Sequence, residues 1–287
     1  MPEMPEVESL ARFLADKCVG HAIARVDLVA FSALKTYDPP LSALAGLEID
    51  QVTRHGKFLD ISAQGLHLIF HLARAGWLRW RDSLPDVPPR PGKGPLALRL
   101  TLDDGSGFDL TEAGTQRKLA VHVVSAPSQV PHIATLGPDP LADDFDEESL
   151  ARILESAGRA QLKGVLRDQR TLAGIGNAYS DEILHAARLS PFKPSNGLTT
   201  DERATLYAAI KGELSGAIAR AEGLAAKDLK SEKKSGLRVH GRKGEKCDVC
   251  GDVISEVSFA DSALQYCPTC QTGGKKLADR RMSRLLK

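Results

Sequence analysis

Two pairs of cysteines near the C-terminus most constrain how this chain can fold. Each pair has the CxxC spacing, Cys247 with Cys250 and Cys267 with Cys270, and sixteen residues separate the pairs. Four thiolates at this spacing form a closed tetrahedral shell, which is typical of structural rather than catalytic zinc. The sequence therefore predicts one structural Zn²⁺ in a finger built on a β-hairpin. Such a finger either contacts nucleic acid, or only stabilises a small domain or binds protein.

The rest of the chain has the composition of an intracellular globular protein. Its 287 residues, 42% of them hydrophobic, are enough for two or three domains with a core each. The first twenty residues contain several acidic side chains and no long apolar run, so we expect neither a secretory signal nor a membrane-spanning helix. In a reducing compartment the cysteines favour metal over disulfides, and the fifth, Cys18, is predicted to be buried on an apolar helix face.

Positive charge is concentrated at one end of the chain. Residues 226–287 contain fourteen Lys or Arg against eight Asp or Glu, although the whole chain has a net charge of only +1. A basic segment of this kind favours contact with a polyanion, and the alternative is a solvated basic surface.

The hydrophobic periodicity changes twice along the sequence. Residues 6–18 have helical spacing, and LHLIFHLARAGWLRW and PLALRLTLDDGSGFDL have the alternation of strands joined by hairpins. The proline-rich SAPSQVPHIATLGPDPL has no period and is predicted to be a linker. Four helical segments follow, and the last has a possible capping box of Thr199 and Glu202.

The segment DQRTLAGIGNAYSDE, residues 168–182, is a glycine-rich junction between two predicted helices. Gly174 and Gly176 would let a ligand approach the backbone, and the N-terminus of the next helix offers amide groups to a phosphate. Asn177 would add a side-chain donor. The alternative is an ordinary tight turn in a packed helical domain.

The chain begins MPEMPEVES, and removal of Met1 would leave Pro2 with a secondary amine at the terminus. Such an amine can attack an electrophilic carbon and form an iminium, which then serves as an electron sink for elimination. Glu3 is adjacent to exchange protons, and Glu6 lies in the first helical turn, where the helix dipole favours negative charge. The alternative is that proline and glutamate only start the helix.

Taken together and in this order, these motifs resemble the formamidopyrimidine-DNA glycosylase and endonuclease VIII family. The resemblance includes PEMPEVE at the start, HGKFLD at 55–60, LGPDPL at 136–141, LKGVLRDQRTLAGIGNAYSDE at 162–182 and LRVHGRKGEKCDVCG…YCPTCQ at 237–271. It spans nearly the whole chain as far as Gln271, and the combination is highly specific.

The resemblance implies an α+β multidomain fold with DNA bound between its domains. The expected divisions are a catalytic β-sandwich with the proline-first helix at 1–130, a linker at 131–143, a helix-two-turn-helix domain at 144–225, a zinc finger at 226–271 and a basic tail at 272–287. The expected partner is double-stranded DNA that contains damaged bases or abasic sites, bound by a monomer without membrane association.

The resemblance also implies a role for each matching residue. Pro2 would be the Schiff-base nucleophile and Glu3 the proton donor and acceptor, with Glu6 and Lys57 completing the catalytic set. The implied DNA contacts are Lys163, Asn177, Arg74, Arg117 and Arg242. The damaged nucleotide would be flipped out of the duplex, because its sugar carbon is unreachable inside the stack.

Several positions depart from the family pattern. Arg74 stands where many relatives have a methionine that fills the gap left by the flipped base, and Gln116 and Arg117 are the nearest matches to a second pair of gap fillers. Such changes should alter lesion search or opposite-base preference and leave the chemistry intact. The segment KDLKSEKKSGL is short and charged where the oxidised-guanine branch has a long glycine-rich loop, which argues against oxidised-guanine specificity.

Two further departures lie near the C-terminus. Ser262 occupies a position that usually bears an arginine in the zinc hairpin. The tail TGGKKLADRRMSRLLK could offset this loss through Lys275, Lys276, Arg280, Arg281 and Arg284, or it could be a helix that packs through Leu277 and Met282.

The resemblance implies a bifunctional DNA glycosylase and abasic-site lyase of base excision repair. It would remove oxidised bases and cleave the strand by β- and δ-elimination through the Pro2 Schiff base, in the cytoplasm and at the nucleoid. Two alternatives remain: a damaged-DNA binder without enzymatic activity, and a lyase with little base-removal activity.

Overall fold

The computed structural model describes residues 1–90, 92, 94–259 and 262–278. The chain forms two compact units. The first unit consists of Met1–Thr135 with Ala221–Glu232, and the second consists of Leu136–Arg220 with Lys233–Lys287. Ala221–Glu232 therefore belongs to the first unit, although the boundary predicted from the sequence, between residues 225 and 226, falls inside this segment.

The first unit is a β-sandwich of two antiparallel sheets with one long helix, α1 (Met4–Cys18). Its strands are β1 (Ile23–Leu28), β2 (Ile49–His55), β3 (Phe58–Ala63), β4 (Leu66–His71), β5 (Gly76–Arg81), β6 (Leu96–Leu102), β7 (Gly107–Glu112) and β8 (Ala120–Val124). One sheet has the order β1-β6-β7-β5 and the other β2-β3-β4-β8. Phe70 of β4 and Phe108 of β7 are both fully buried, and their rings lie 5.9 Å apart in the core of the sandwich.

The local patterns in this unit were predicted correctly. The helix predicted over residues 6–18 is α1, which packs on β2 and buries Val7, Leu10 and Leu14. The alternating leucines of the second strand segment form β6, which pairs with β7 in the predicted hairpin. Cys18 is fully buried, as expected, and burial raises the pKa of its thiol to about 12.

The segment after β8 is more ordered than its proline content suggests. It contains a 3-10 turn (Pro127–Gln129) and a short helix, α2 (Pro131–Ala134). Val130 and Ile133 pack on Phe58, Ile69 and Val124, on the side of the second sheet that faces away from the core. The first part of the predicted linker is therefore structured as a cover for this sheet.

The second unit contains the four predicted helical segments and a small cysteine-containing subdomain. Its helices are α3 (Glu147–Ser156), α4 (Leu162–Arg167), α5 (Asn177–Ala186), α6 (Thr200–Arg220), α7 (Leu229–Gly236), which begins in the first unit, and α8 (Pro268–Thr272). The predicted capping box at the start of α6 is present: Thr199 and Glu202 exchange backbone-to-side-chain hydrogen bonds of 2.9 and 3.2 Å. The predicted hairpin between the cysteine pairs is β9 (Ser255–Ser258) with β10 (Ala263–Tyr266).

The C-terminal end is described only as far as residue 278. Leu277 packs on the buried Val257, Leu264 and Tyr266, and its backbone nitrogen donates to the Tyr266 hydroxyl at 2.7 Å. The start of the tail is therefore attached to the zinc hairpin, and the predicted contacts of Arg280, Arg281 and Arg284 lie outside the described residues. No described helix combines the length and the apolar character that a membrane span requires.

Candidate functional site

The N-terminus of α1 holds the first three predicted catalytic residues together. Pro2, Glu3 and Glu6 are all buried. The backbone nitrogen of Glu3 donates to a carboxylate oxygen of Glu6 at 2.7 Å, which fixes the chain direction beside Pro2. Met1 is 51% exposed, and its removal would free the Pro2 nitrogen.

Lys57 is buried in the two-residue turn between β2 and β3, which Gly56 allows by adopting a φ of +56°. The positive charge of Lys57 acts on His71, which lies on β4, the strand paired with β3. Burial, followed by the charge of Lys57, lowers the pKa of His71 to about 4. His71 is therefore neutral at pH 7, and its Nδ1 accepts a hydrogen bond from the backbone of Ala73 at 3.2 Å.

Arg74 lies exposed in the tight turn between β4 and β5. Two features fix this turn: Ala73 has a φ of +52°, and the nitrogen of Gly76 donates to the Leu72 oxygen at 2.9 Å. A Cβ at residue 76 would lie only 2.1 Å from that oxygen, so the turn requires glycine there. Arg74 is thus carried by a rigid turn whose shape depends on His71 and Gly76.

Arg117 is also exposed, on the loop between β7 and β8. The buried carboxylate of Glu112 organises this loop by accepting hydrogen bonds from the backbone nitrogens of Lys118 at 2.8 Å and Leu119 at 3.0 Å. Arg117 itself donates to the Gly94 oxygen at 3.1 Å. Glu112 was not predicted from the sequence, although an acidic residue at the end of a strand was a possible signal.

The glycine-rich junction forms the predicted tight turn before α5. Gly174 has a φ of +87°, and its nitrogen donates to the side chain of Gln169 at 3.0 Å. The side-chain nitrogen of Asn177, at the start of α5, donates to the Ala263 oxygen of β10 at 2.7 Å. Its side-chain oxygen is buried and has no hydrogen-bond partner among the described residues. The predicted contact of Asn177 with a DNA phosphate stays a prediction.

Lys163, another predicted DNA contact, is buried in the second unit. It is 5% exposed, and its Nζ donates to Asp181 Oδ1 at 2.6 Å, to Ser180 Oγ at 2.9 Å and to the Asn177 oxygen at 3.1 Å. All three acceptors lie in the first turns of α5. The DNA contact of Lys163 stays a prediction, and a phosphate would compete with these three acceptors for the ammonium group.

Arg242, the remaining predicted DNA contact, lies in an ion-pair cluster. Its guanidinium pairs with Asp248 at 2.7 Å and with Glu245 at 2.8 Å, and the two carboxylates raise its pKa above the usual value. The side chain is 27% exposed. A phosphate that contacts Arg242 would therefore compete with two carboxylates.

Helix α5 fastens the segment that leads to the cysteines. The carboxylate of Glu182, 1% exposed, accepts hydrogen bonds from three consecutive backbone nitrogens of residues 238–240, at 2.8 to 3.0 Å. Asp181 accepts from His240 Nδ1 at 2.7 Å and from the backbone nitrogen of Gln265 at 3.2 Å. Neither acid was singled out from the sequence, although both belong to the segment DQRTLAGIGNAYSDE.

The four predicted zinc ligands converge next to this helix. The sulfur atoms of Cys247, Cys250, Cys267 and Cys270 all lie within 4.8 Å of one another. Zinc–sulfur bonds of about 2.3 Å place tetrahedral ligand sulfurs about 3.8 Å apart, so the cluster fits the ion. His185 of α5 lies 3.3 Å from the Cys247 sulfur through Nε2, a contact that was not predicted. Such a contact orients a ligand sulfur from outside the metal shell.

Comparison with known protein families agrees with this arrangement. The formamidopyrimidine-DNA glycosylase N-terminal domain matches residues 1–119, the H2TH domain of the same enzymes matches residues 136–228, and a zinc finger found in FPG and IleRS matches residues 244–273. The chain thus contains, in order, the three domains that the sequence motifs implied.

Individual relatives give the same result. The chain is 35% identical to a formamidopyrimidine-DNA glycosylase of Sphingopyxis alaskensis, over 94% of this chain and 100% of the relative. It is 54% identical to a formamidopyrimidine-DNA glycosylase-like protein of Mycobacterium tuberculosis, over 55% of this chain and 98% of the relative. A solved Lactococcus lactis Fpg bound to abasic-site DNA superposes with a TM-score of 0.81 at 28% identity, covering 94% of this chain and 99% of that one. The chain therefore belongs to the formamidopyrimidine-DNA glycosylase family, the DNA glycosylases of base excision repair, and carries the family's single structural zinc.

Proposed function

We propose that this protein removes damaged bases from double-stranded DNA and cleaves the resulting abasic site through a Schiff base on Pro2. The observation that carries the proposal is the N-terminus of α1. There the backbone nitrogen of Glu3 donates to a carboxylate oxygen of Glu6 at 2.7 Å, next to the buried Pro2. That hydrogen bond is the capping box of α1, which an ordinary helix start can also have. The burial of the Glu3 carboxylate beside Pro2 is what a nucleophilic amine that exchanges protons requires in addition.

The chemistry follows from these groups. After loss of Met1, the Pro2 nitrogen forms a bond to the anomeric carbon of the damaged nucleotide, the bond from that carbon to the base breaks, and the proton that the amine gives up goes to the departing base. Glu3 donates a proton to the sugar ring oxygen as the ring opens to an iminium. The iminium accepts electrons when the neighbouring carbon loses a proton, which expels the 3′ phosphate, and a second elimination expels the 5′ phosphate.

The remaining predicted residues bind the DNA. Lys57, Arg74 and Arg117 belong to the first unit, and Asn177 and Arg242 to the second. Lys163 has a positioning role, since it holds the first turns of α5 through Asp181. The similar structures that contain abasic-site or damaged DNA support double-stranded DNA as the partner of a monomer.

The test is borohydride trapping on abasic-site DNA. Wild-type protein should form a covalent adduct with a mass equal to the chain without Met1 plus the reduced DNA fragment. Pro2→Gly should trap far less, and Glu3→Gln should slow base release and strand cleavage together. Pro5→Ala is the matched control, because Pro5 is a buried proline of the same helical turn without a terminal nitrogen.

Equal trapping by wild type and Pro2→Gly would overturn the proposal. So would an active protein that retains Met1, because its Pro2 nitrogen is then an amide. Loss of trapping in Pro5→Ala to the same extent would show that helix integrity, not the Pro2 amine, is being measured.

A second candidate is a lyase with little base-removal activity, and one observation favours it. The segment that replaces the long glycine-rich loop is the charged helix α7, and the residue Ala226 before it accepts a hydrogen bond from Trp77 at 3.1 Å. A segment held in this way is less free to close over an oxidised purine. A panel of oxidised-base substrates separates the candidates: cleavage of abasic DNA without release of any oxidised base supports this one.

We also propose that the protein acts in the cytoplasm and associates with the nucleoid through DNA. Fluorescent fusion to the C-terminus should place it with the chromosome, and more so after oxidative damage. Uniform distribution in damaged cells contradicts this proposal.

A further inference from the structure

The first unit contains a pocket of about 730 Å³ whose lining includes none of Pro2, Glu3, Glu6 and Lys57. It lies between the C-terminal half of α1, strand β5 and residues 225–230, all of which belong to the first unit. Lys17 at its edge follows Glu3 by fourteen residues on the same helix, which corresponds to about 20 Å along the axis. The pocket is therefore separate from the reacting end of α1.

One side of the pocket is aromatic. The chain has two tryptophans, Trp77 and Trp80, and both line the pocket with Phe13. Both indole N–H groups already have partners, since Trp77 donates to the Ala226 oxygen at 3.1 Å and Trp80 to Asp82 at 2.9 Å. Phe13 meets Trp80 edge to face at 5.8 Å. The rings are thus held in place, and Phe13 and Trp80 are only half-buried.

The other side of the pocket is strongly basic. Its lining includes five cations and one acid: Lys17, Arg79, Arg81, Lys227, Lys230 and Asp82. Burial and the charge of Arg79 lower the pKa of Lys230, which shows that these cations crowd one another. Lys230 also lies 4.4 Å from the centre of the Trp77 ring. An excess of like charge in a concave site favours an anionic ligand.

We propose that this pocket binds a nucleoside phosphate, with the base on the aromatic side and the phosphate on the basic side. Tryptophan faces next to lysine and arginine are the combination that holds unpaired nucleotides without sequence preference. A volume of this size fits one or two nucleotides. The ligand comes either from free nucleotides or from the unpaired end of a strand, and both sources share this chemistry.

The tryptophans themselves report binding, because the pocket contains all of the chain's indole fluorescence. The full-length zinc-loaded protein is titrated with dAMP, with a short oligothymidylate and with inorganic phosphate. We expect saturable quenching by at least one of the two nucleotide probes and none by phosphate alone. Quenching by dAMP identifies free nucleotide as the source, and quenching by the oligonucleotide alone identifies a single strand.

Three variants test whether quenching arises in this pocket. Arg79→Gln removes one exposed cation and Trp80→Leu removes one ring, and each should weaken binding about tenfold. Arg152→Gln is the matched control, an exposed arginine of the second unit that should bind as wild type does. Thermal melting confirms that each variant is folded, and borohydride trapping on abasic DNA should stay unchanged in all three.

The proposal is overturned if neither nucleotide probe gives saturable quenching, or if inorganic phosphate or an acidic peptide competes as well as the nucleotides do. It is also overturned if Arg79→Gln and Trp80→Leu bind as tightly as Arg152→Gln. The titration measures the fluorescence of Trp77 and Trp80, so a negative titration does not count against the Schiff-base chemistry. A negative trapping experiment likewise does not count against nucleotide binding in this pocket.

Discussion

Lys163 and Asp181 form a buried ion pair in the second unit, with the ammonium nitrogen 2.6 Å from the carboxylate and side-chain exposures of 6% and 0%. Asp181 also receives hydrogen bonds from His240 and Gln265, and so joins α4, α5 and the segment around the zinc hairpin. Removing one partner of such a pair leaves an uncompensated buried charge.

The first prediction concerns this pair. Lys163→Met should lower the free energy of unfolding by about 3–5 kcal/mol, because it leaves the Asp181 carboxylate buried without its cation. Lys193→Met is the control: Lys193 pairs with Glu202 where both side chains are about 30% exposed, so its loss should cost about 1 kcal/mol or less. Urea denaturation followed by circular dichroism measures both. Equal losses would show that the burial of Lys163 has no energetic consequence.

The second prediction concerns His185, whose Nε2 lies 3.3 Å from Cys247. Groups that contact a metal ligand from outside the coordination shell typically contribute a factor of about 10–100 to metal affinity. His185→Phe keeps a ring of similar size. It should lose zinc at a chelator concentration about 10–100 times lower than the wild type does. His185→Gln keeps a donor and should recover part of the affinity. Identical zinc retention in wild type and His185→Phe contradicts the assignment.

The third prediction is a pH dependence of stability from His71. Its folded pKa is about 4, against an ordinary value of 6.5, so the unfolded chain binds the proton more readily. Stability should therefore fall as the pH drops from about 6.5 towards 4, by up to about 3 kcal/mol from this residue. His71→Asn keeps an acceptor for Ala73 but cannot titrate, and its unfolding free energy should depend less steeply on pH in this window.

His21 provides the control of opposite sign. Its hydrogen bond to Asp103 raises its pKa, so its contribution is present below pH 6.5 and is lost as the pH rises through the folded value. His21→Asn should therefore make the loss of stability at low pH slightly steeper. If His71→Asn and His21→Asn shift the pH profile in the same direction, the assignment of His71 as a neutral buried group is wrong.

The fourth prediction compares two glycines. Gly76→Ala should destabilise the first unit by about 1–3 kcal/mol, because the new Cβ would lie 2.1 Å from the Leu72 oxygen. It should also disturb the turn that carries Arg74. Gly212→Ala, in the middle of α6, meets nothing within 4 Å and should raise stability by about 0.5–1 kcal/mol. Thermal unfolding of both variants checks the sign of each change.

Features set by neighbours in sequence were predicted well. The β6–β7 hairpin follows from alternating leucines and a turn, and the capping box of α6 follows from Thr199 and Glu202 three residues apart. The zinc site follows from the CxxC spacing, since the two pairs can converge only if the residues between them fold back. In each case the information lies within about twenty residues.

Features set by distant partners were missed. Nothing near Lys163 in the sequence indicates that its ammonium group pairs with Asp181, eighteen residues later, and the DNA contact that the resemblance implies for Lys163 stays a prediction. The carboxylate of Glu182 binds backbone nitrogens 56 to 58 residues away, and Glu112 binds those of its own loop. Ala221–Glu232 belongs to the first unit because Ala221, Ala226 and Leu229 pack in its core and Trp77 donates to Ala226, 149 residues away in the sequence.

Helix α5 is attached to the zinc subdomain at several points along its length. The attachments lie on successive turns and come from the side chains of Asn177, Asp181, Glu182 and His185. Asn177 and Asp181 contact β10, Asp181 and Glu182 contact residues 238–240, and His185 contacts Cys247, so a single substitution removes part of the attachment and leaves the rest. A one-residue insertion within α5 would instead rotate every later side chain by about 100° and detach the downstream attachments at once. In this family member the length of one helix is therefore under tighter constraint than the identity of any residue along it.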